Sequence, residues 1–233
     1  MPNVLVFDFE TTGIDTKSCG VVQSSIAIAT INEDGSYTIN DIETRLLNPE
    51  CEINPLASEV HGIYADDVKD CVKCSDYLTE RFSKVTEDAI MGYNSNSFDI
   101  KIAKRFGLQT EGKRKLDLIV ATRKLKSLKV INKATLSAAY EDLTGLSADN
   151  AHEAEADVRM TLSLIKPTMR LLGYQTFSEF CDFLESNINT MPFGKHVGKK
   201  FSEIPTSYLR WLVELPEVSD EIIKLANKEL EVR

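Results

Sequence analysis

Residues 4–13 read Val-Leu-Val-Phe-Asp-Phe-Glu-Thr-Thr-Gly. Such an apolar run predicts a strand over 3–10 that lies in the core. A strand repeats every two residues, so Asp8 and Glu10 project from the same face. Acids are depleted in strands, and the neighbours of these two read as core. Two carboxylates side by side repel, and they are costly to desolvate unless something cationic joins them. Hard divalent ions are the natural partners for such oxygens. Thr11-Thr12-Gly13 reads as a turn that leaves backbone groups open to a ligand. The competing reading is an edge strand with two solvated acids.

Other acids with unusual neighbours lie far along the chain. Asp99 closes Gly92-Tyr93-Asn94-Ser95-Asn96-Ser97-Phe98-Asp99, and His152 and Asp157 sit in Ala151-His152-Glu153-Ala154-Glu155-Ala156-Asp157. Five helical residues advance about 500°, which leaves His152 and Asp157 about 140° apart on a regular helix. If both serve one site, Asp157 belongs on the helix and His152 on the turn before it. Spacing alone leaves His152 equally readable as a surface histidine near a helix start.

The pattern between these points predicts an α/β chain. Val21–Ile31 and Tyr37–Leu46 are β-rich, and Glu33-Asp34-Gly35-Ser36 between them is a hairpin turn. Asn54-Pro55 opens a short helix toward His61-Gly62. Ser75 is a candidate cap for a helix with Tyr77, Leu78, Phe82 and Val85. Residues 89–93 form a short buried strand, and helices follow at about 98–106, 117–126, 135–144 and 153–172. Gly145 and Gly173 are stops, and Pro167 predicts a kink or break. A meander followed by alternating strands and helices argues a mixed sheet flanked by helices.

At this point the chain resembles the DEDD exonucleases of the histidine-bearing branch (DEDDh). The branch includes polymerase proofreading exonucleases, exonuclease X, ribonuclease T and oligoribonuclease. The resemblance runs over about residues 3–172 and rests on Asp8, Glu10, Asp99, His152 and Asp157 in order. It implies a ribonuclease H-like fold and a metal-dependent 3′→5′ exonuclease that releases 5′-nucleoside monophosphates. The four acids would hold two ions, Mg²⁺ with Mn²⁺ as a substitute, and His152 on a mobile segment would be the general base. Thr11 and Thr12 match positions that contact the terminal nucleotide. His61 with Gly62-Ile63 matches a motif near the substrate, although helix-end packing explains it equally well. Asn94 matches an Asn ahead of the Phe98-Asp99 pair. The chain departs from its relatives at Tyr93, where many have His, and at Gln23, where they usually carry Glu.

The net charge of −9 runs against a nucleic-acid enzyme, but the distribution matters more than the sum. Lys101 to Lys133 holds 11 basic residues against Glu111 and Asp117, so this segment carries +9 and the remainder −18. It reads as a phosphate-binding track or as solvated helix faces. DNA is favoured over RNA as the partner. The alternatives are an exoribonuclease or oligoribonuclease, and a non-catalytic binding or polymerase-associated module.

Length allows one medium domain plus a small appendage, and the resemblance implies an exonuclease domain over 1–175, with a connecting helix and linker over 176–190 and a small module over 191–233. Thr176 to Glu179 is a capping box, Glu185 to Asn189 a linker, and Ser219 a cap for a last helix. The module resembles one at the C-terminus of exonuclease X-like proteins. Its glycines, lysines and aromatics suit either nucleic-acid binding or packing. Five scattered cysteines and no membrane-length apolar run fit a cytoplasmic protein. Cys71 and Cys74 form a CxxC that reads as two ordinary thiols near a helix start, with half a zinc site or a redox pair as the alternatives.

Overall fold

In the computed structural model, which describes residues 3–149, 151–186, 190–191, 193–215, 218 and 220–233, the predicted first strand is the middle of a sheet. β1 (Asn3–Thr11) pairs antiparallel with β2 (Val21–Ile31) and parallel with β4 (Ala89–Gly92). β3 (Tyr37–Leu46) extends one side and β5 (Arg114–Asp117) the other, giving a mixed sheet of order β3-β2-β1-β4-β5.

Period two then sorts the side chains of β1. Leu5, Phe7 and Phe9 point to a core shared with α3 (Cys74–Ser83) and α4 (Asp99–Arg105). Val4 and Val6 point the other way. There they meet α5 (Ile119–Ser127), α6 (Leu136–Thr144), α7 (Ala154–Leu172) and α8 (Phe177–Ser186). Asp8 and Glu10 continue the face of Val4 and Val6, so the site opens toward α7.

The helix ends follow local chemistry. α1 (Pro55–His61) starts with Asn54 accepting the Leu56 N–H at 2.9 Å and Pro55 in the first turn. Thr176 and Glu179 cap α8 reciprocally, and Gly145 and Gly173 end α6 and α7. Three expectations are corrected. α3 begins at Cys74 with Lys73 before it, so Ser75 lies inside the helix. α7 runs unbroken through Pro167. The hydroxyl of Thr168, next in sequence, donates to the Leu164 and Ile165 carbonyls, and buried residues on both sides hold the turn in register. β5 and the one-turn α2 (Ala65–Val68) were not expected. β5 is basic and lacks alternation. Long-range ties hold it: pairing with β4, and Arg114 clamped by Asp182 and Glu185 of α8.

The basic segment does not stay together as one track. Arg105 donates to the Thr16 and Cys19 carbonyls, Lys113 to the Glu87 carbonyl, and Arg114 to α8. Lys124, Lys126, Lys129 and Lys133 remain exposed on α5 and the loop after it. Cys74 is buried in the α3 core, and the thiol of Cys71 donates to the Asp67 carbonyl.

The C-terminal residues form a separate apolar cluster of Met191, Phe201, Ile204, Leu209, Leu212, Val218 and Ala226. Around it stand two 3₁₀ turns, α9 (Thr206–Val213) and α10 (Asp220–Glu231). The expected linker residues 187–189 and the expected cap Ser219 lie outside the described residues. No helix among the described residues is long and apolar enough to cross a membrane.

Asn54 also donates its N–H to the Thr12 carbonyl, so it joins α1 to the end of β1. Asn54→Ala is expected to lower stability by about 1 kcal/mol. Urea denaturation monitored by circular dichroism checks this.

Candidate active site

Three separate segments deliver the acids. β1 supplies Asp8 and Glu10, α4 supplies its first residue Asp99, and the first turn of α7 supplies Asp157. Glu10 is 9% exposed and Asp99 5%. Burial pushes Asp8 well above the usual carboxylate range, and Asp99, Asp157 and Glu10 push it further. Glu10 rises to about 8, through burial first and then Asp157 and Asp99. Asp99 rises to about 7 through burial, with its own N–H and that of Phe9 pulling it back. Asp157 rises to about 6 through burial, against the pull of the His152 side chain and N–H. The ion pairs among the described residues involve none of the four.

His152 sits in the turn ahead of α7, as the helix arithmetic requires, with φ at +72°. That backbone conformation is costly for a residue with a side chain. It brings the imidazole to the acids: donor atoms of Glu10, His152 and Asp157 lie within 4.8 Å of one another. Oδ1 of Asp157 is buried with no hydrogen-bond partner. A buried carboxylate oxygen without a donor, among carboxylates that repel, fits a divalent cation. These residues could hold one.

The surrounding residues fix this geometry. β4 ends at Gly92, where a side-chain carbon would stand 2.6 Å from Cβ of Ser95 and 3.3 Å from the Phe7 carbonyl. Glycine therefore lets the loop to Asp99 fold back over β1. Asp117, buried at the end of β5, accepts the N–H groups of Asn94 at 2.7 Å and Asn96 at 3.0 Å. Asn94 itself adopts φ +58°. The hydroxyl of Tyr93 binds Thr122 and the Ala134 carbonyl, each at 2.7 Å. The residue that replaces the family's His thus ties the loop to α5. Phe98 is half-buried against the α3 side of the core.

Gln23 stood out in sequence only as a departure from the family pattern and Asp117 only as an acid in a basic segment, and both act here. The amide oxygen of Gln23 accepts the Ala154 N–H at 2.9 Å. It caps α7, whose own cap residue Glu153 makes no side-chain bond. Gln23 is a polar residue inside a buried strand, and Asp117 is one of two acids in a basic segment. These were the available signals, but the partners lie 131 and 23 residues away in sequence.

His61 uses both ring nitrogens. Nδ1 accepts the Ile63 N–H at 3.1 Å, which leaves Nε2–H to donate to the Thr11 carbonyl at 3.3 Å. Burial lowers its pKa, and His152 nearby lowers it further. The Thr11 hydroxyl donates to the Gly13 carbonyl, while the N–H and hydroxyl of Thr12 both bind Gly20. These bonds close the 11–20 turn.

A family model described as "Exonuclease" matches residues 5–165. A second, described as "Putative quorum-sensing-regulated virulence factor", matches residues 182–215. No curated protein matches the chain in sequence. Among solved structures, a zinc-bound complex of E. coli exonuclease I with single-stranded DNA aligns at TM-score 0.67 and 19% identity, over 81% of this chain and 44% of that one. Exonuclease X in complex with 5′-overhanging duplex DNA aligns at 0.57 and 22%, over 78% and 99%. Exonuclease I from Methylocaldum szegediense aligns at 0.60 and 19%, over 80% and 43%. The chain thus spans under half the length of the exonuclease I structures it matches. The shared fold is ribonuclease H-like.

Two outcomes are expected. Folded-state pKa values raised above the unfolded ones mean that the folded chain holds protons the unfolded chain releases. Without metal, stability is then greatest below about pH 4 as far as these acids are concerned. It is lost as pH rises through the folded values of about 6, 7 and 8 for Asp157, Asp99 and Glu10. Melting temperatures in chelator should fall between pH 5 and pH 8, and a divalent cation should recover more at pH 8 than at pH 5. Gln23→Ala removes the cap of α7 and should lower stability by about 1 kcal/mol and weaken cation binding. Titration calorimetry and denaturation test this together.

Proposed function

The chain belongs to the exonuclease family, and on that premise we propose that it is a divalent-metal-dependent 3′→5′ exonuclease. In this reading it acts on single-stranded 3′ ends of DNA and releases 5′-nucleoside monophosphates. The observation that carries the reading is the convergence of Asp8, Glu10, Asp99, Asp157 and His152 from three distant segments.

Asp8 is raised by all three other carboxylates, which suits the ligand shared by two cations. Glu10 and Asp157 would complete the cation position on the His152 side, and Asp99 would support the other. Two such ions, Mg²⁺ or Mn²⁺, supply charge stabilisation at the phosphoryl oxygens and at the leaving 3′-oxygen. His152 would take the proton of the attacking water on a ring nitrogen. Asp157 lies beside the imidazolium that results and offsets its charge. His61, whose ring is engaged on both sides, orients the Thr11 end of β1 rather than exchanging protons. Asn94 and Phe98 sit on the loop that delivers Asp99, where a terminal nucleotide would lie.

DNA is favoured because the exonuclease I and exonuclease X structures of the same fold hold DNA. The test is digestion of matched 5′-labelled single-stranded DNA and RNA with Mg²⁺. A ladder shortening from the 3′ end of DNA, absent for Asp8→Ala, is the expected result. A ladder on RNA alone would move the substrate to RNA. Nucleic-acid binding with no ladder on either would place the chain with non-catalytic binding modules. His152→Ala should keep cation binding in calorimetry while kcat falls about 10²–10⁴-fold.

A further inference from the structure

The C-terminal cluster leaves aromatic faces in water where a packing module would cover them. Trp211 is 49% exposed and Phe193 39%. Tyr208 lies 5.0 Å from Trp211 and 4.5 Å from the His196 ring, so a row of rings borders the 193–200 loop. Gly194 makes this possible: its φ is +72°, and a side-chain carbon there would stand 2.8 Å from the Tyr208 hydroxyl. Lys195, Lys199, Lys200 and Arg210 are exposed on the same loop and helix, with Lys195 and Lys199 near His196. None of them joins an ion pair among the described residues.

The same loop rests against α5. A side-chain carbon at Gly198 would meet the Arg123 carbonyl and Cβ of Ser127 at 3.9 Å. Lys124 of α5 and Lys200 of the loop line one cleft of about 100 Å³, with Thr190, Gly198 and Glu203. The carboxylate of Glu203 accepts the Lys200 backbone N–H. Residues 123–133 and 193–212 together hold nine basic residues against Glu203 alone, in a chain of net charge −9. α5 begins two residues after Asp117, which holds the loop carrying Asp99. Its nine residues span roughly 13 Å, so the basic residues of α5 lie within about one helix length of that loop.

We propose that this face is a second binding site for single-stranded nucleic acid, on the strand to the 5′ side of the end being digested. Phe193 and Trp211 stack on bases, and Lys124, Lys195, Lys199 and Lys200 take backbone phosphates. Stacking platforms beside cations are how strands are held without sequence preference. The placement on the 5′ side rests on the exonuclease reading; the binding itself does not.

Trp211 is the single tryptophan of the chain, so its emission reports this face. The probe is a thirty-residue oligothymidylate with phosphorothioate linkages at its 3′ end, added to the full chain with Mg²⁺. Titration should quench Trp211. Phe193→Ala and the pair Lys195→Glu with Lys199→Glu should each weaken binding about tenfold or more. The lysine pair should also flatten the salt dependence, by roughly 0.7 in log–log slope for each phosphate no longer neutralised. Unchanged emission at saturating oligonucleotide, or variants that bind like the unmodified protein, would overturn the proposal. Asp8→Ala should still show the quench. A quench, together with no digestion of unprotected single-stranded DNA or RNA by the unmodified chain, would sink the exonuclease reading and leave this site standing.

Discussion

Mutual repulsion of four carboxylates, Glu10 and Asp99 buried and Asp8 and Asp157 half-buried, is the constraint around which this fold is organised. Each of Asp8, Glu10, Asp99 and Asp157 is driven toward its neutral form by burial, and Asp8 is driven by all three neighbours. Left to themselves, such groups would move apart or admit water. They stay close because each is anchored on an element that the core holds for other reasons. β1 is buried between two apolar layers, α4 is seated by Ile100, Ile102 and Ala103, and α7 by Val158, Leu162 and Ile165. Hydrophobic burial outside the site therefore offsets electrostatic strain inside it, a strain that protonation or a bound cation would relieve.

The residues that aim the acids are neutral or point their charge elsewhere. Gln23 caps α7 with an amide oxygen, which satisfies the Ala154 N–H without adding a fifth negative charge beside Asp157. Glu155, on the same turn as Asp157, is drawn off by Arg159 and the Thr44 hydroxyl. Asp117 is the costly exception. It is buried near Asp99 and raises it, yet the N–H groups of Asn94, Asn96 and Ile119 converge on its carboxylate. That arrangement works because backbone donors carry partial positive charge, which a carboxylate collects more effectively than a neutral acceptor does. The loop that presents Asp99 is thus clamped by an acid that lies outside the catalytic set.

What was legible in the sequence was whatever local physics decides. Period two placed Asp8 and Glu10 together, and helix geometry separated His152 from Asp157 and sent it to the preceding turn. Asn54-Pro55 and Thr176 to Glu179 marked their own helix starts. What was not legible depends on distant partners. β5 has a basic, non-alternating sequence and exists through its pairing with β4 and the Arg114 clamp. The helix continues through Pro167 because flanking core packing outweighs one missing N–H.

Charge distribution completes the account of how an acidic chain could handle a polyanion. The site itself repels phosphate until cations neutralise it, so the protein's attraction for a strand must come from elsewhere. Three of the eleven basic residues in 101–133 are committed to holding the fold, through Arg105, Lys113 and Arg114. Lys104 stays exposed on α4, while Lys124, Lys126, Lys129 and Lys133 are exposed on α5 and the loop behind it, against which the 198–200 segment rests. A strand engaged there would be steered past a repelling body toward an end that only a metal-loaded site can accept. On the function and the binding face proposed above, separating attraction from chemistry in this way would make capture sensitive to salt and hydrolysis sensitive to cation occupancy. Those are independent dependences, and a site that combined both tasks in its four carboxylates could not have them.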